Sequence, residues 1–198
     1  METQFDGRSA RVRLLDAADE LFYVNGISRT GVDDLLASAH VSVATLYAQF
    51  RSKDGLLQAS LERRLEGWRE CWDGAISAAQ SDEDRLLAVF DALTLYRERQ
   101  HSVRWCAFLS TAVETRTDHP VSALLAAETT LLNRRLRDLA APLAGAQAEQ
   151  LAADILLIYN GTLASLLRGS PADPIARGRE IAKAASRSSR TPRTISPG

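Results

Sequence analysis

The sequence predicts an all-α protein of about nine helices, with three short helices ahead of a bundle of longer ones. Hydrophobic residues recur at three- and four-residue steps along nearly all of the 198 residues, and no segment alternates convincingly with the two-residue period of a strand. Prolines interrupt the second half of this pattern, at Pro120, Pro142, Pro171 and Pro174. The period therefore predicts the helices, and its interruptions predict their ends.

The first three helices are predicted to form a compact helix-turn-helix domain over residues 1–52. The first covers about 9–25 and ends at Asn25 and a following glycine, a pair that tolerates a left-handed turn. The second lies near 31–38, and the third begins after Val41 with Ser42 as a plausible N-cap. Four apolar residues should lock the motif from its inner side: Leu35, Val41, Leu46 and Phe50.

Six more helices are predicted for residues 53–187, which form the second domain. Their approximate ranges are 53–79, 83–99, 103–115, 120–141, 147–168 and 173–187. The acidic stretch "SDED" at 81–84 contains N-cap residue types and favours a new helix start there. Residues 188–198 are polar, basic and rich in Ser and Pro, which predicts a disordered tail.

Composition restricts the classes of function. The formal net charge is −1, so any attraction to nucleic acid must be local. The N-terminal residues lack a secretory signal, and the apolar stretch 151–167 is interrupted by Asp154 and Asn160. We therefore expect a cytoplasmic protein without a membrane segment. Cys71 and Cys106 have no metal-ligand spacing, and the simplest interpretation is two buried thiols with no metal site and no cofactor.

The third helix is the candidate for contact with DNA, because the second helix of a helix-turn-helix enters the major groove. Its outer face contains no cation. Tyr47 would expose apolar surface to water without a partner, but its ring and hydroxyl suit a sugar-phosphate contact. Lys53 lies in the first turn of a helix, where the dipole disfavours a cation unless a phosphate also binds. The alternative is a plain three-helix subdomain whose outer face meets only water.

The stretch "LLDAADELFYVNGISRTGVDDLLASAHVSVATLYAQFRSKDGLLQ" resembles the DNA-binding domain of TetR-family transcriptional regulators. The matching positions share one register: Ala18, Leu21, Phe22, Gly26, Val32, Val41, Ser42, Thr45, Leu46, Tyr47, Phe50, Ser52, Lys53 and Leu56. The close resemblance covers residues 11–58 and becomes looser beyond them. It implies a regulator, with repression the usual mode, that binds a palindromic double-stranded operator as a homodimer and is released by a small, largely apolar effector.

The outer face and the resemblance together predict the site residues. The DNA-binding candidates are Arg29, Gly31, Val32, Ser42, Val43, Ala44, Thr45, Tyr47, Gln49 and Lys53. Methyl groups of Val43, Ala44 and Thr45 would meet thymine methyls, while Tyr47 and Lys53 would hold phosphates.

Two further sets are predicted in the helical bundle. The candidate effector pocket comprises Trp68, Trp72, Phe90, Tyr96, His101, Trp105, Phe108, Glu114, Tyr159 and Asn160, although each aromatic residue could simply pack in the core. The candidate dimer interface comprises Ile155, Ile158, Gly161, Thr162, Leu166 and Ile175. The helix at 53–79 would link the effector pocket to the DNA-binding domain.

The sequence departs from the family pattern where His40 replaces a turn glycine, where Gly31 replaces a Ser or Thr, and where Asp33 replaces a common cation. Residues 8–53 contain six cations (Arg8, Arg11, Arg13, Arg29, Arg51, Lys53) and five acids (Asp16, Asp19, Glu20, Asp33, Asp34), a net charge of 6 − 5 = +1. We therefore expect weak non-specific DNA binding and a shallow salt dependence.

Two alternatives remain. A TetR-fold protein could act through a small molecule or another protein with its DNA binding weakened. An enzyme is disfavoured, because His40, His101 and His119 are isolated in the sequence and no phosphate-binding loop or nucleophile elbow is present.

Overall fold

The computed structural model describes residues 7–99 and 107–189, and these residues form nine α-helices and one 3₁₀ turn, with no strand among them. The helices are α1 (Ala10–Asn25), α2 (Val32–Ala39), α3 (Val43–Phe50), α4 (Lys53–Ala78), α5 (Asp82–Arg99), α6 (Ala107–Glu114), α7 (Ser122–Ala144), α8 (Ala148–Arg168) and α9 (Pro174–Ser188). The 3₁₀ turn, Gly145–Gln147, separates α7 from α8. The all-α prediction is confirmed.

Side-chain caps begin several helices where the sequence predicts a start. Ser9 accepts a hydrogen bond from the Val12 amide at the start of α1. Ser81, ahead of α5, accepts one from the Asp84 amide and donates its hydroxyl to the Asp84 carboxylate, so the predicted start within "SDED" is correct. One prediction is off by a turn, because α7 continues through Pro142 to its last residue, Ala144.

The chain divides into two compact units, and the division crosses α4 between Glu66 and Gly67. Among the described residues, the first unit comprises 7–66 and 107–126, and the second comprises 67–99 and 127–189. The first unit therefore includes α6 and the beginning of α7 as well as the three short helices. Its core is formed by apolar residues of α1 to α4, joined by Ala107 and Val121: Leu14, Leu15, Ala17, Ala18, Phe22, Tyr23, Ile27, Leu35, Ala39, Leu46, Phe50, Leu56, Leu57 and Leu61.

Within the first unit, a charged network fastens α4 to α1. The Asp19 carboxylate accepts hydrogen bonds from Ser60 at 2.5 Å, from Arg63 at 2.6 Å and from Arg64 at 3.0 Å. The Arg64 guanidinium is buried and lies 4.1 Å from the centre of the Tyr23 ring. A buried guanidinium needs such partners, because an unpaired charge inside a protein is costly.

The second unit is built around α5, whose Leu86–Leu93 segment is almost entirely buried. Helices α8 and α9 pack against each other, and α9 also packs against α5. Gly178 of α9 lies so close to the Thr162 hydroxyl that a side chain at position 178 would collide with it. Asp91 of α5 pairs with Arg179 of α9 at 3.0 Å.

The stretch Ser122–Arg168 has an apolar window with a mean hydropathy of 1.3, and is long enough to cross a membrane by length and composition alone. It consists of α7, the 3₁₀ turn and α8, and α7 carries Arg134, Arg135, Arg137 and Asp138. Burying these charges in hydrocarbon would be costly. Of the apolar window, 28% is buried within the chain, and a single stretch of this kind is weak evidence for a membrane segment.

Candidate nucleic-acid interface

Helix α3 presents an uncharged face to solvent and is held from behind by two buried side chains. Leu46 and Phe50 are buried, as predicted. The predicted N-cap is also correct, because Ser42 accepts a hydrogen bond from the Thr45 amide and shares a second, at 2.9 Å, with the Thr45 hydroxyl. Tyr47 and Val43 are each 52% exposed, although both are large and apolar.

The other DNA-binding candidates also lie at the surface of the first unit. Exposed candidates are Arg29, Gly31, Ser42, Ala44 and Gln49, and half-buried ones are Val32, Thr45 and Lys53. The Val32 side chain packs against the core of the unit, so it is poorly placed to contact DNA. The predicted outer face of α3 is therefore free to contact a partner.

The turn between α2 and α3 has the geometry of a Schellman motif. The Val41 amide donates to the Leu36 carbonyl and the His40 amide to the Ala37 carbonyl. His40 has φ 50° and ψ 52°, the left-handed conformation expected where the family pattern has glycine. Arg13 of α1 supports this turn, since its guanidinium donates to the Ala39 carbonyl at 2.9 Å and to the His40 carbonyl at 3.5 Å.

The start of α2 gives a structural role to Asp34, an acid whose charge is unfavourable for DNA binding. Gly31 is the N-cap and has no side chain to cap the helix, but its own amide donates to the Asp34 carboxylate at 3.0 Å. Asp33 and Asp34 both lie in the first turn, where a helix dipole favours negative charge. Asp34 therefore stabilises the helix, a role that sequence reasoning missed although the spacing of three residues could have indicated it.

Four of the six cations in residues 8–53 contact other groups of the first unit. Arg8 pairs with Asp16, and Arg13 binds the turn carbonyls. Arg11 lies 4.5 Å from the centre of the Phe50 ring, and Lys53 donates from Nζ to the Ile27 carbonyl at 2.6 Å.

The remaining two cations, Arg29 and Arg51, are exposed, and their guanidinium groups have no ionic or hydrogen-bond partner within residues 7–99 and 107–189. Lys53 can still meet a phosphate, because an ammonium has three donors and Ile27 takes one of them. The charge available to a nucleic acid is therefore smaller than the cation count in the sequence indicates.

The predicted effector-pocket residues separate into several groups. Five aromatic residues form one cluster in the second unit, in which Trp68 contacts Trp72, Tyr96 and Tyr159 with ring centres 5.8–5.9 Å apart, and Tyr159 also contacts Phe90. The cluster is mostly buried, and Arg135 lies over the Trp72 ring at 4.6 Å. Within the part of the chain that the structure describes, the Trp72 indole N–H is buried without a hydrogen-bond acceptor.

Three predicted pocket residues lie elsewhere. Phe108 packs against the core of the first unit, and Glu114 binds a loop of that same unit. Asn160 is exposed on α8, where it is rotated by about 100° around the helix axis from the buried Tyr159. Whether the ten residues line one pocket stays a prediction. His101 and Trp105 lie outside the described residues, as does Cys106.

Two predicted dimer residues are buried inside their own unit. Ile155 is fully buried, and Thr162 faces Gly178 of α9, so neither is available to a second copy in this arrangement. Ile158, Leu166 and Ile175 are half-buried, and Gly161 is exposed. The sequence prediction did not include two exposed apolar residues of the same two helices. Leu157 of α8 is 73% exposed, and Ile181 of α9 is 45% exposed.

Cys71 is buried, as the simplest interpretation predicted. Burial raises the pKa of its thiol, and Arg99 opposes this effect only in part. A thiol with a raised pKa forms little thiolate at neutral pH and is therefore unreactive.

Comparison with known proteins shows a similarity between the N-terminal helices and one family. Residues 14–60 match the family described as bacterial regulatory proteins, tetR family. The probable HTH-type transcriptional regulator YttP of Bacillus subtilis is 30% identical over 100 residues, which is 49% of this chain and 48% of that protein. The HTH-type transcriptional regulator UidR of Escherichia coli is 36% identical over 75 residues, 36% of this chain and 38% of that protein.

The matches thus span at most about half the length of these curated relatives, whereas structural similarity extends over most of the chain. A TetR-family transcriptional regulator from Streptomyces coelicolor superposes with a TM-score of 0.82 at 26% identity, covering 91% of this chain and 95% of the other. A TetR regulator from Chloroflexus aurantiacus, at 22% identity and a TM-score of 0.75, shares the fold over 88% of this chain and 92% of its own. The proteins named here are all described as transcriptional regulators. Residues 14–60 of the chain are thus similar to the TetR family of bacterial regulatory proteins, and the fold of most of the chain is similar to that of a TetR-family regulator.

Proposed function

We propose that this protein is a cytoplasmic transcriptional regulator that binds a palindromic operator as a homodimer and represses until a small effector releases it. The observation that supports DNA binding most directly is α3, a capped helix whose anchors Leu46 and Phe50 are buried while Tyr47 and Val43 are half exposed. Apolar side chains on the outside of a rigid helix suit a groove lined by thymine methyls. Its curated relatives, which are described as transcriptional regulators, support the same function.

The contacts divide into those that position the protein and those that read bases. Val43, Ala44 and Thr45 offer methyl groups to base edges in the major groove. Tyr47, Arg29 and Lys53 supply phosphate contacts, and Ser42 and Gln49 lie beside them on the exposed face. Specificity should therefore favour A·T-rich half-sites.

The test is selection of operators from a randomised duplex library, followed by gel retardation with Tyr47→Ala. Loss of a phosphate contact should weaken binding to every selected duplex by about three- to tenfold, with the preferred sequence unchanged. Val24→Ala is the matched control, because Val24 is 49% exposed in the same unit and lies on α1. Equal affinity for wild type and Tyr47→Ala would contradict this docking.

The dimer is proposed to form through the outer face of α8 and α9. That face combines apolar Leu157, Ile158 and Ile181 with Gly161, whose Cα has no neighbouring atom that a side chain would meet. A dimer would place two recognition helices about 34 Å apart, one turn of B-DNA.

The dimer proposal predicts that Leu157→Glu makes the protein monomeric in analytical ultracentrifugation, because a carboxylate would be buried at the interface. Leu95→Glu is the control, since Leu95 is an exposed leucine on α5 of the same unit. A wild-type monomer at micromolar concentration, or dimers of both variants, would rule out this interface.

The effector is proposed to bind beside the aromatic cluster of Trp68, Trp72, Tyr96, Tyr159 and Phe90. The unpaired Trp72 indole N–H suits an apolar molecule that carries one hydrogen-bond acceptor. A compound that abolishes gel retardation should also quench tryptophan fluorescence, and the quenching should be lost in Trp72→Phe.

A ligand- or protein-binding regulator with weakened DNA binding is the second candidate, and the small number of unengaged cations, Arg29 and Arg51, favours it. Recovery of no duplex from the library at low salt would support it over the repressor.

A further inference from the structure

One peptide group in the loop after α1 is held by opposite charges at its two ends. In the planar peptide group between Ile27 and Ser28, the Ile27 carbonyl and the Ser28 amide point in opposite directions. Lys53 Nζ donates to that carbonyl at 2.6 Å, and the Ser28 amide donates to Glu114 Oε2 at 3.1 Å. A cation on the oxygen and a carboxylate on the amide each form a charge-assisted bond, and together they polarise the peptide in the same direction.

This peptide group connects segments that adjoin three different helices, α1, α4 and α6. Ile27 and Ser28 follow α1 and precede α2 by three residues, Lys53 is the first residue of α4, and Glu114 is the last residue of α6. Chain segments far apart in sequence therefore meet at one peptide group, and all of them belong to the first unit.

Local packing keeps the loop in place for these two contacts. Gly26, with φ 91°, turns the chain at the end of α1, and a side chain there would lie 3.3 Å from the Glu114 carboxylate. Thr30 is buried and donates its hydroxyl to the Gly26 carbonyl at 2.8 Å, which closes the loop just before the N-cap of α2. A short, hydrogen-bonded segment thus connects the Ile27–Ser28 peptide to the start of α2, so a movement of the peptide would also move the start of α2.

We propose that Glu114 is a positioning residue for DNA binding, acting on the Ile27–Ser28 peptide together with Lys53. This proposal rests on the proposed function of α3 as the DNA-contacting helix. Glu114 does not touch the DNA; it orients the loop that leads into α2, and α2 supports α3. The same loop carbonyl orients Lys53, whose other two N–H groups would meet a phosphate.

The sign of the effect separates this role from simple electrostatics. Removing a carboxylate from a DNA-binding unit lessens charge repulsion and should tighten binding if the residue has no other role. The proposal predicts the opposite, because loss of the Ser28 contact lets the loop and Lys53 move away from the orientation that binds phosphate.

The experiment compares Glu114→Ala with Asp118→Asn. The Asp118 substitution removes the same charge from the same unit, four residues along the chain, where Asp118 pairs only at the exposed surface with Arg116. For Glu114→Ala we expect operator affinity to fall about three- to tenfold, whereas Asp118→Asn should bind as tightly as wild type or more tightly. Glu114→Gln, whose amide oxygen can still accept from Ser28, should lie between wild type and Glu114→Ala.

A measurement without DNA tests the contact itself. In ¹⁵N-labelled full-length protein, the Ser28 amide proton should resonate downfield in wild type and Asp118→Asn, and should shift upfield in Glu114→Ala. Unchanged or tighter DNA binding by Glu114→Ala would overturn the proposal, as would a loss of affinity with an unchanged Ser28 resonance. If wild type binds no duplex, the proposed function fails instead, and the Ser28 resonance still reports whether Glu114 holds the loop.

Discussion

At the scale of single residues, His40 shows how the turn between α2 and α3 accepts a non-glycine residue. A left-handed conformation places Cβ close to the backbone and costs an L-residue free energy that glycine avoids. The Schellman bonds of Val41 and His40 and the two carbonyl contacts of Arg13 hold the turn despite this cost. All of these bonds involve main-chain atoms on the turn side, so the His40 side chain is not needed for them.

We therefore predict that His40→Gly raises the free energy of unfolding by about 0.5–1 kcal/mol, because it relieves the left-handed strain. Urea denaturation would measure the change. Ala37→Gly is the matched control, since it introduces the same residue inside α2 and should lower stability by roughly 0.5–1 kcal/mol. A loss of stability in both variants would show that the His40 side chain contributes more than the strain costs.

At the scale of helices, the sequence predicted position and capping much better than contact partners. The 3.6-residue period locates α1 to α5 closely because burial of one face repeats along each helix. The same period cannot tell whether an apolar face meets its own chain or a second copy, and for this reason Ile155 and Thr162 were assigned to the wrong surface.

Polar partners were the hardest feature to predict. Nothing in the spacing of Glu114 indicates that it binds Ser28, 86 residues earlier in the chain, since such a contact depends on how the helices pack. The DNA-contact candidates on α3 were easier, because a short helix with two buried anchors leaves only one face outward. Whether those residues bind DNA stays a prediction.

The attachment of α4 to α1 is the clearest case of one helix fixing another through charge. The Asp19 side chain is 16% exposed and accepts hydrogen bonds from three donors, including the buried Arg64. The Asp16 side chain is 36% exposed and pairs with Arg8 and Arg63. A charge that stays buried after losing its partner costs far more than an exposed one.

Asp19→Ala should therefore lower the free energy of unfolding by about 2–4 kcal/mol, because Arg64 would remain buried without its carboxylate. Asp16→Ala should cost less than about 1 kcal/mol, since water can replace the lost contact at the surface. Chemical denaturation of both variants makes the comparison. Equal losses would mean that the Tyr23 ring and the Asp19 carbonyl, which also contact Arg64, are sufficient for it.

At the scale of the whole molecule, stability should depend on pH through Glu128 of α7. Burial raises the pKa of this carboxyl from 4.5 to about 7, and the Thr129 hydrogen bond opposes that rise only in part. The unfolded chain therefore releases the Glu128 proton near pH 4.5, while the folded protein keeps it until about pH 7. Between these values the unfolded state is favoured increasingly as pH rises, and above pH 7 the full cost of a buried carboxylate is present.

We predict that wild type loses roughly 1–3 kcal/mol of stability between pH 5 and pH 8 from this source, and that Glu128→Gln does not. Because stability also depends on pH through other groups of the protein, the quantity to measure is the difference between the two proteins in urea denaturation at each pH. The difference should be small at pH 5 and should favour Glu128→Gln at pH 8. Glu149→Gln, which removes an exposed carboxylate from α8, is the control and should show the same dependence of stability on pH as wild type. If Glu128→Gln also shows the wild-type dependence, Glu128 is ionised in the folded protein throughout this range, and the prediction is wrong.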